Sequence, residues 1–145
     1  MNEQITDTQN NAQGMLTGIM ITLFAALIGA LGYSIVFSLA YYKGHPFEYV
    51  QNMVFTILSV LVAVLITLIL SRMIQGNKLT FLQGFLGGWM ASLVLGMFIS
   101  FFYSIFIKIT ATQKLPEGSF AMRMMLFSML GIIISVILSL IIKKN

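Results

Sequence analysis

The chain has 145 residues, of which 59% are hydrophobic and only 8% charged. Average soluble domains carry about 25% charged residues, so a water-soluble fold of this size would lack the polar surface to cover itself. The net charge of +4 comes from basic residues standing mostly singly between long apolar runs, which fits membrane anchoring and lacks the basic stripe of a nucleic-acid binder.

In chain order, residues 1–14 form a polar tail rich in Asn, Gln and Thr, expected to fray. The tail carries Glu3 and Asp7 and no Lys or Arg. The apolar run that follows is far longer than the roughly 7–15 residues of a signal-peptide core, so it reads as a span and not as a removable leader. Residues 15–145 then form one domain with four apolar segments, at about 15–42, 49–70, 81–107 and 122–142. Each can supply the roughly 20 residues that cross a bilayer as a helix. In hydrocarbon the backbone must satisfy its own hydrogen bonds, so helix is the expected state.

The connections are short. KGHPFE joins the first two segments, and His45 before Pro46 disfavours helix there. SRMIQGNKLT joins the next two, with Gly76-Asn77 as a turn and Thr80 as N-cap of the third helix. KITATQKLPEGSFAMR leads to the last, with Pro116-Glu117-Gly118 as a turn and Ser119 as a helix start. Short connections make sequential neighbours antiparallel. The expected fold is therefore all-α, a membrane-embedded up-down four-helix bundle with both termini on one side.

The third segment keeps one row free of large side chains: Gly84, Gly88, Ser92, Gly96, Ser100 and Ser104. Residues four apart lie nearly above one another on a helix. Lipid tails are as apolar as leucine, so membrane helices associate by close packing, and small residues permit the approach. Such a row either packs the chain's own helices or docks a partner or second copy. It is the candidate helix-docking face. Shorter rows run through the first helix (Gly14, Gly18, Thr22, Ala26, Ala30, Ser34, Ser38), the second (Ser59, Ala63, Thr67, Ser71) and the fourth (Ser128, Gly131, Ser135, Ser139).

Chemistry is sparse. No Asp, Glu, Lys, Arg or His lies in the middle of an apolar segment, which argues against proton-driven export, because intramembrane ionisable groups mark ion paths and proton relays. With no cysteine and one histidine, thiol oxidoreductase and haem-binding readings fail. No catalytic residue, metal ligand or cofactor is expected. His45 reads as a solvated loop residue and Arg123 as a snorkelling cation. Gln51 and Asn52 are expected to meet headgroups or water, as is Gln83, for which a contact inside the bundle is the alternative. Tyr41, Tyr42, Phe47, Tyr49, Phe101, Phe102, Tyr103 and Phe106 read as an interfacial belt. Trp89 either packs inside the bundle or follows a stretch lying in the headgroups. Met122, Met124, Met125 and Met129 read first as gap fillers and second as an apolar docking surface.

The stretch SRMIQGNKLTFLQGFLGG resembles a domain-of-unknown-function family of small four-helix bacterial integral membrane proteins. The resemblance rests on Arg72, Gly76, Asn77, Phe81, Gln83, Gly84, Phe85 and Gly88 and on the four-span layout. The stretch after the third helix, Lys108-Ile109-Thr110, lacks the family's Asn-Pro. The resemblance implies no activity, but it places the second connection in the cytoplasm. That matters because basic residues divide equally: Arg72, Lys78, Lys143 and Lys144 against Lys43, Lys108, Lys114 and Arg123. The expectation is an accessory or assembly protein of the bacterial inner membrane with both termini cytoplasmic. Its partners would be the lipid bilayer and an integral membrane protein or a second copy. A carrier or scramblase-like helper for a lipid or lipid-linked substrate is the alternative.

Overall fold

The computed structural model describes residues 2–43, 49–75, 79–110 and 120–144. The chain folds into α1 (Asn2–Tyr42), α2 (Tyr49–Ile74), α3 (Phe81–Thr110) and α4 (Phe120–Lys144), with no strand among the described residues. Each helix contains a stretch long and apolar enough to cross a membrane: Gln13–Tyr42, Asn52–Ile74, Phe81–Thr110 and Phe120–Ile142. The turns expected at His45-Pro46, Gly76-Asn77 and Pro116-Glu117-Gly118, and the helix start expected at Ser119, lie outside the described residues.

The N-terminal stretch differs from the frayed tail expected of it. α1 runs 41 residues from Asn2, so it is about 60 Å long at 1.5 Å per residue. Nucleating a helix is the costly step and propagation is cheap. The apolar stretch supplies the nucleus, and apart from Gly14 the polar residues before it contain no helix breaker.

At the start of α3 the cap expected at Thr80 is a reciprocal one. The Gln83 backbone N–H donates to Thr80 Oγ1 at 3.3 Å, and the Thr80 N–H donates to Gln83 Oε1 at 3.1 Å. This capping box satisfies two amides that a helix start otherwise leaves open. It also settles Gln83 at the exposed helix end instead of inside the bundle. At the same end, Arg72 Nη1 donates to the Ile142 carbonyl at 3.5 Å, a cation on the carbonyl-rich end of α4.

The helices do not stand at the corners of a square. α2 and α3 touch each other, and each also touches both α1 and α4, whereas α1 and α4 make no contact among the described residues. The cross-section is a rhombus with α2 and α3 on the short diagonal. The core follows from this: Ala26, Val60, Ala63, Val64, Leu68 and Leu95 are fully enclosed. Leu, Ile and Met on the outer faces remain exposed. Met122, Met125 and Met129 are among them, so they are surface residues and not gap fillers.

Candidate functional site

The small-residue row of α3 is a seam inside the chain. Gly84, Gly88, Ser92, Gly96 and Ser100 are all buried, while Ser104 is exposed and donates its hydroxyl to the Ser100 carbonyl at 3.0 Å. A Cβ placed on Gly84 would lie 2.9 Å from Ser139 Oγ, and one on Gly88 would lie 2.9 Å from Val64 Cγ1 and against Ser135. One on Gly96 would lie 2.9 Å from Phe127 Cβ, and one on Gly131 would lie 2.6 Å from Ser92 Cβ. Each step of four along α3 thus meets a step of four backwards along α4, the register of an antiparallel pair. α2 contributes Leu68 and Val64 from the side. The face is occupied by the chain's own α4 and α2 and is not free for a partner.

The seam carries polar atoms. Ser92 returns its hydroxyl to the Trp89 carbonyl at 2.7 Å, and Trp89 Nε1 donates to Ser128 Oγ at 3.1 Å. Trp89 therefore packs across α3 and α4, stacked on Phe85 at 6.4 Å. The hydroxyls of Ser100, Ser135 and Ser139 are buried without a hydrogen-bond partner. In the seam these serines act by being small. Cα–H groups of the facing glycines are the weak donors such a contact offers.

At the opposite end of the bundle four side chains, one from each helix, converge. The Tyr33 hydroxyl of α1 donates to Asn52 Oδ1 of α2. The Tyr103 hydroxyl of α3 bonds with the Tyr33 hydroxyl and lies 3.3 Å from Asn52 Oδ1. The Arg123 guanidinium of α4 sits 4.6 Å from the centroid of the Tyr103 ring, within cation–π range. Phe37 backs the group, edge-on to Tyr103 at 5.0 Å and to Phe106 at 5.3 Å. Tyr103 is 5% and Phe106 7% exposed. Part of the expected interfacial belt is therefore core, while Tyr42 and Phe101 face outward; Phe47 and the Tyr49 side chain lie outside the described residues. Asn52 likewise turns into the bundle instead of meeting headgroups.

The cluster's chemistry is that of a clamp. Two phenol protons serve three oxygens, so two of the triangle's three edges can carry a full hydrogen bond, and both hydroxyls are engaged. No group of three or more His, Cys, Asp or Glu able to hold a metal occurs among the described residues. Sequence reading missed this cluster because its four members lie far apart in the chain. The available signal was their common depth: all lie toward the end of the bundle that carries the first and third connections.

Between α1 and α2 the surface opens into an apolar groove of about 350 Å³. It is lined by Ile28, Gly29 and Gly32 of α1 and by Phe55, Ser59 and Val62 of α2, among others. A Cβ on Gly29 would meet Leu95 Cδ1 and the Ser59 carbonyl, both at 3.2 Å, whereas one on Gly32 would meet nothing within 4 Å. Gly29 lets the helices approach, and the missing side chain at Gly32 leaves the gap. Comparisons with protein-family models, with curated proteins and with solved structures returned no match for this chain.

Proposed function

We propose that the protein is a non-enzymatic accessory or assembly protein of the bacterial inner membrane. It works by docking a helix of another integral protein, or of a second copy, against α1. The observation that carries this reading is the pair Gly14 and Gly18. Each stands inside α1 with no atom within 4 Å of where its Cβ would be. Glycine within a helix costs roughly 0.5–1 kcal/mol relative to alanine, and here no contact among the described residues explains it. Gly14 and Gly18 lie one heptad before Ile21 and Ala25, which are buried. They thus extend the buried stripe of α1 past the point where the other helices cover it. Glycines on such a stripe let a second backbone come close.

The test is association. Full-length protein extracted in mild detergent is compared with Gly14→Ile/Gly18→Ile by native mass spectrometry and by cross-linking in membrane vesicles. The expected result is a complex larger than the monomer for the natural sequence and its loss in the double variant, with helicity unchanged. A monomer without cross-links in both overturns the proposal.

The proposal puts both termini in the cytoplasm. Lys143 and Lys144 adjoin the last span, Arg72 and Lys78 share one short connection, and positive charge next to spans is retained inside. Because the chain lacks cysteine, single cysteines at Thr8, Asn77, Ser119 and Asn145 report directly. An impermeant thiol reagent on intact cells should label Ser119→Cys alone, and labelling of Asn77→Cys and Asn145→Cys instead would reverse the orientation.

A further inference from the structure

We propose that the groove between α1 and α2 is a binding site for one acyl chain of an anionic phospholipid, whose phosphate is met by Lys43. The inference rests on the four helices being membrane spans and is independent of docking at Gly14 and Gly18.

The groove has the depth and length of one leaflet. Its inner end, at Ile28 and Val62, lies near the middle of the spans Gln13–Tyr42 and Asn52–Ile74. Its outer end lies at Val36 and Phe55. Eight residues of α1 separate the two ends, about 12 Å at 1.5 Å per residue, against about 15 Å for half of a 30 Å hydrocarbon core. A partner helix would need a seam over most of its roughly 20 membrane residues, and this groove is too short to provide one. A single hydrocarbon chain fits it.

The lining is suited to hydrocarbon alone. Ser59 spends its hydroxyl on the Thr56 carbonyl at 2.8 Å. Tyr33 turns its hydroxyl away into the triangle with Asn52 and Tyr103. A headgroup would find no free donor in the groove, so it belongs at the outer end. There the chemistry changes. Lys43 is exposed and follows Ile28 by fifteen residues along α1 and the turn that ends it. That places it about 22 Å from the mid-plane at helical rise, at the phosphate level of a bilayer about 40–45 Å thick with its headgroups. Lys108 and Arg123 occupy the same end of the bundle, and in sequence the first and third connections add Lys114 against Glu48 and Glu117, which leaves that end net positive. The cationic end thus complements a lipid of net negative charge.

The experiment uses full-length protein in mixed micelles holding equal amounts of phosphatidylglycerol and phosphatidylcholine with identical acyl chains, read by native mass spectrometry. The natural sequence should retain one lipid per chain, phosphatidylglycerol over phosphatidylcholine by about fivefold, the factor one basic residue near a lipid surface supplies. Lys43→Gln should retain a lipid but lose the preference. Gly32→Leu should lose the retained lipid while keeping its helicity and melting temperature, since a side chain there enters open space. The proposal is overturned if the natural sequence retains no lipid or both lipids equally, or if Gly32→Leu, folded, retains as much as the natural sequence.

Discussion

Gly131→Ala tests the seam between α3 and α4 at its tightest point. The added Cβ would lie 2.6 Å from Ser92 Cβ, where carbon atoms prefer about 3.5–4.0 Å. Ser92 is fully buried, so its Cβ cannot turn aside, and the two backbones must part by about 1 Å. A gap of 0.5–1 Å forfeits a quarter to a half of the dispersion energy of each facing atom pair. The loss propagates to the flanking contacts of Gly88 with Ser135 and of Gly96 with Phe127. Overpacking of this kind costs typically 1–3 kcal/mol, and the upper half of that range is expected because backbone has to move. The assay is reversible unfolding in mixed micelles of dodecyl maltoside and rising sodium dodecyl sulfate, followed by the fluorescence of Trp89, which lies in the seam. Ser92→Gly removes both the opposing Cβ and the Oγ that the new methyl would meet first and should restore at least half of the loss, whereas Ser92→Ala removes the Oγ alone and should restore less. A stability change in Gly131→Ala below about 0.5 kcal/mol, or strict additivity of the two substitutions within about 0.3–0.5 kcal/mol, would refute the argument.

Three further outcomes follow from the polar atoms. Ser135→Ala should be neutral or stabilising by up to about 1 kcal/mol in the same assay, because it deletes a buried hydroxyl with no partner; marked destabilisation would reveal a bond. Asn52→Leu strips the shared acceptor from Tyr33 and Tyr103 and should cost about 1–3 kcal/mol, and combining it with Tyr33→Phe should cost less than the sum of the two. Arg123→Gln should cost about 0.5–2 kcal/mol through the lost cation–π contact, and the cost should shrink when Tyr103 is replaced by Leu.

The spans, their order and the cap at Thr80 were legible because they depend on local composition and on short-range spacing. The small-residue row was legible as a packing surface, yet its partner was not. Gly84, Gly88 and Gly96 announce that something comes close, but a helix row has no way of naming the row that fills it. That information is split with Ser139, Ser135 and Phe127, roughly 30 to 55 residues away, and it appears only once the antiparallel register is set. The polar cluster fails for the opposite reason. Asn52 next to a helix start looks like a headgroup contact, and Tyr103 among phenylalanines looks like a belt residue. Depth alone does not distinguish the wet rim of a bundle from its dry interior, since both occur at the same height. Rotation about the helix axis decides between them. Both faces of these helices are apolar, so the pattern that fixes rotation in a water-soluble helix is nearly erased. What remains to set rotation is the small and polar minority: Gly29 against Ser59 for α1 on α2, Ser92 against Gly131 for α3 on α4, and the Tyr33–Asn52–Tyr103 triangle where three helices meet. These few contacts carry the specificity of the bundle, which is why the substitutions above are aimed at them and not at the exposed leucines.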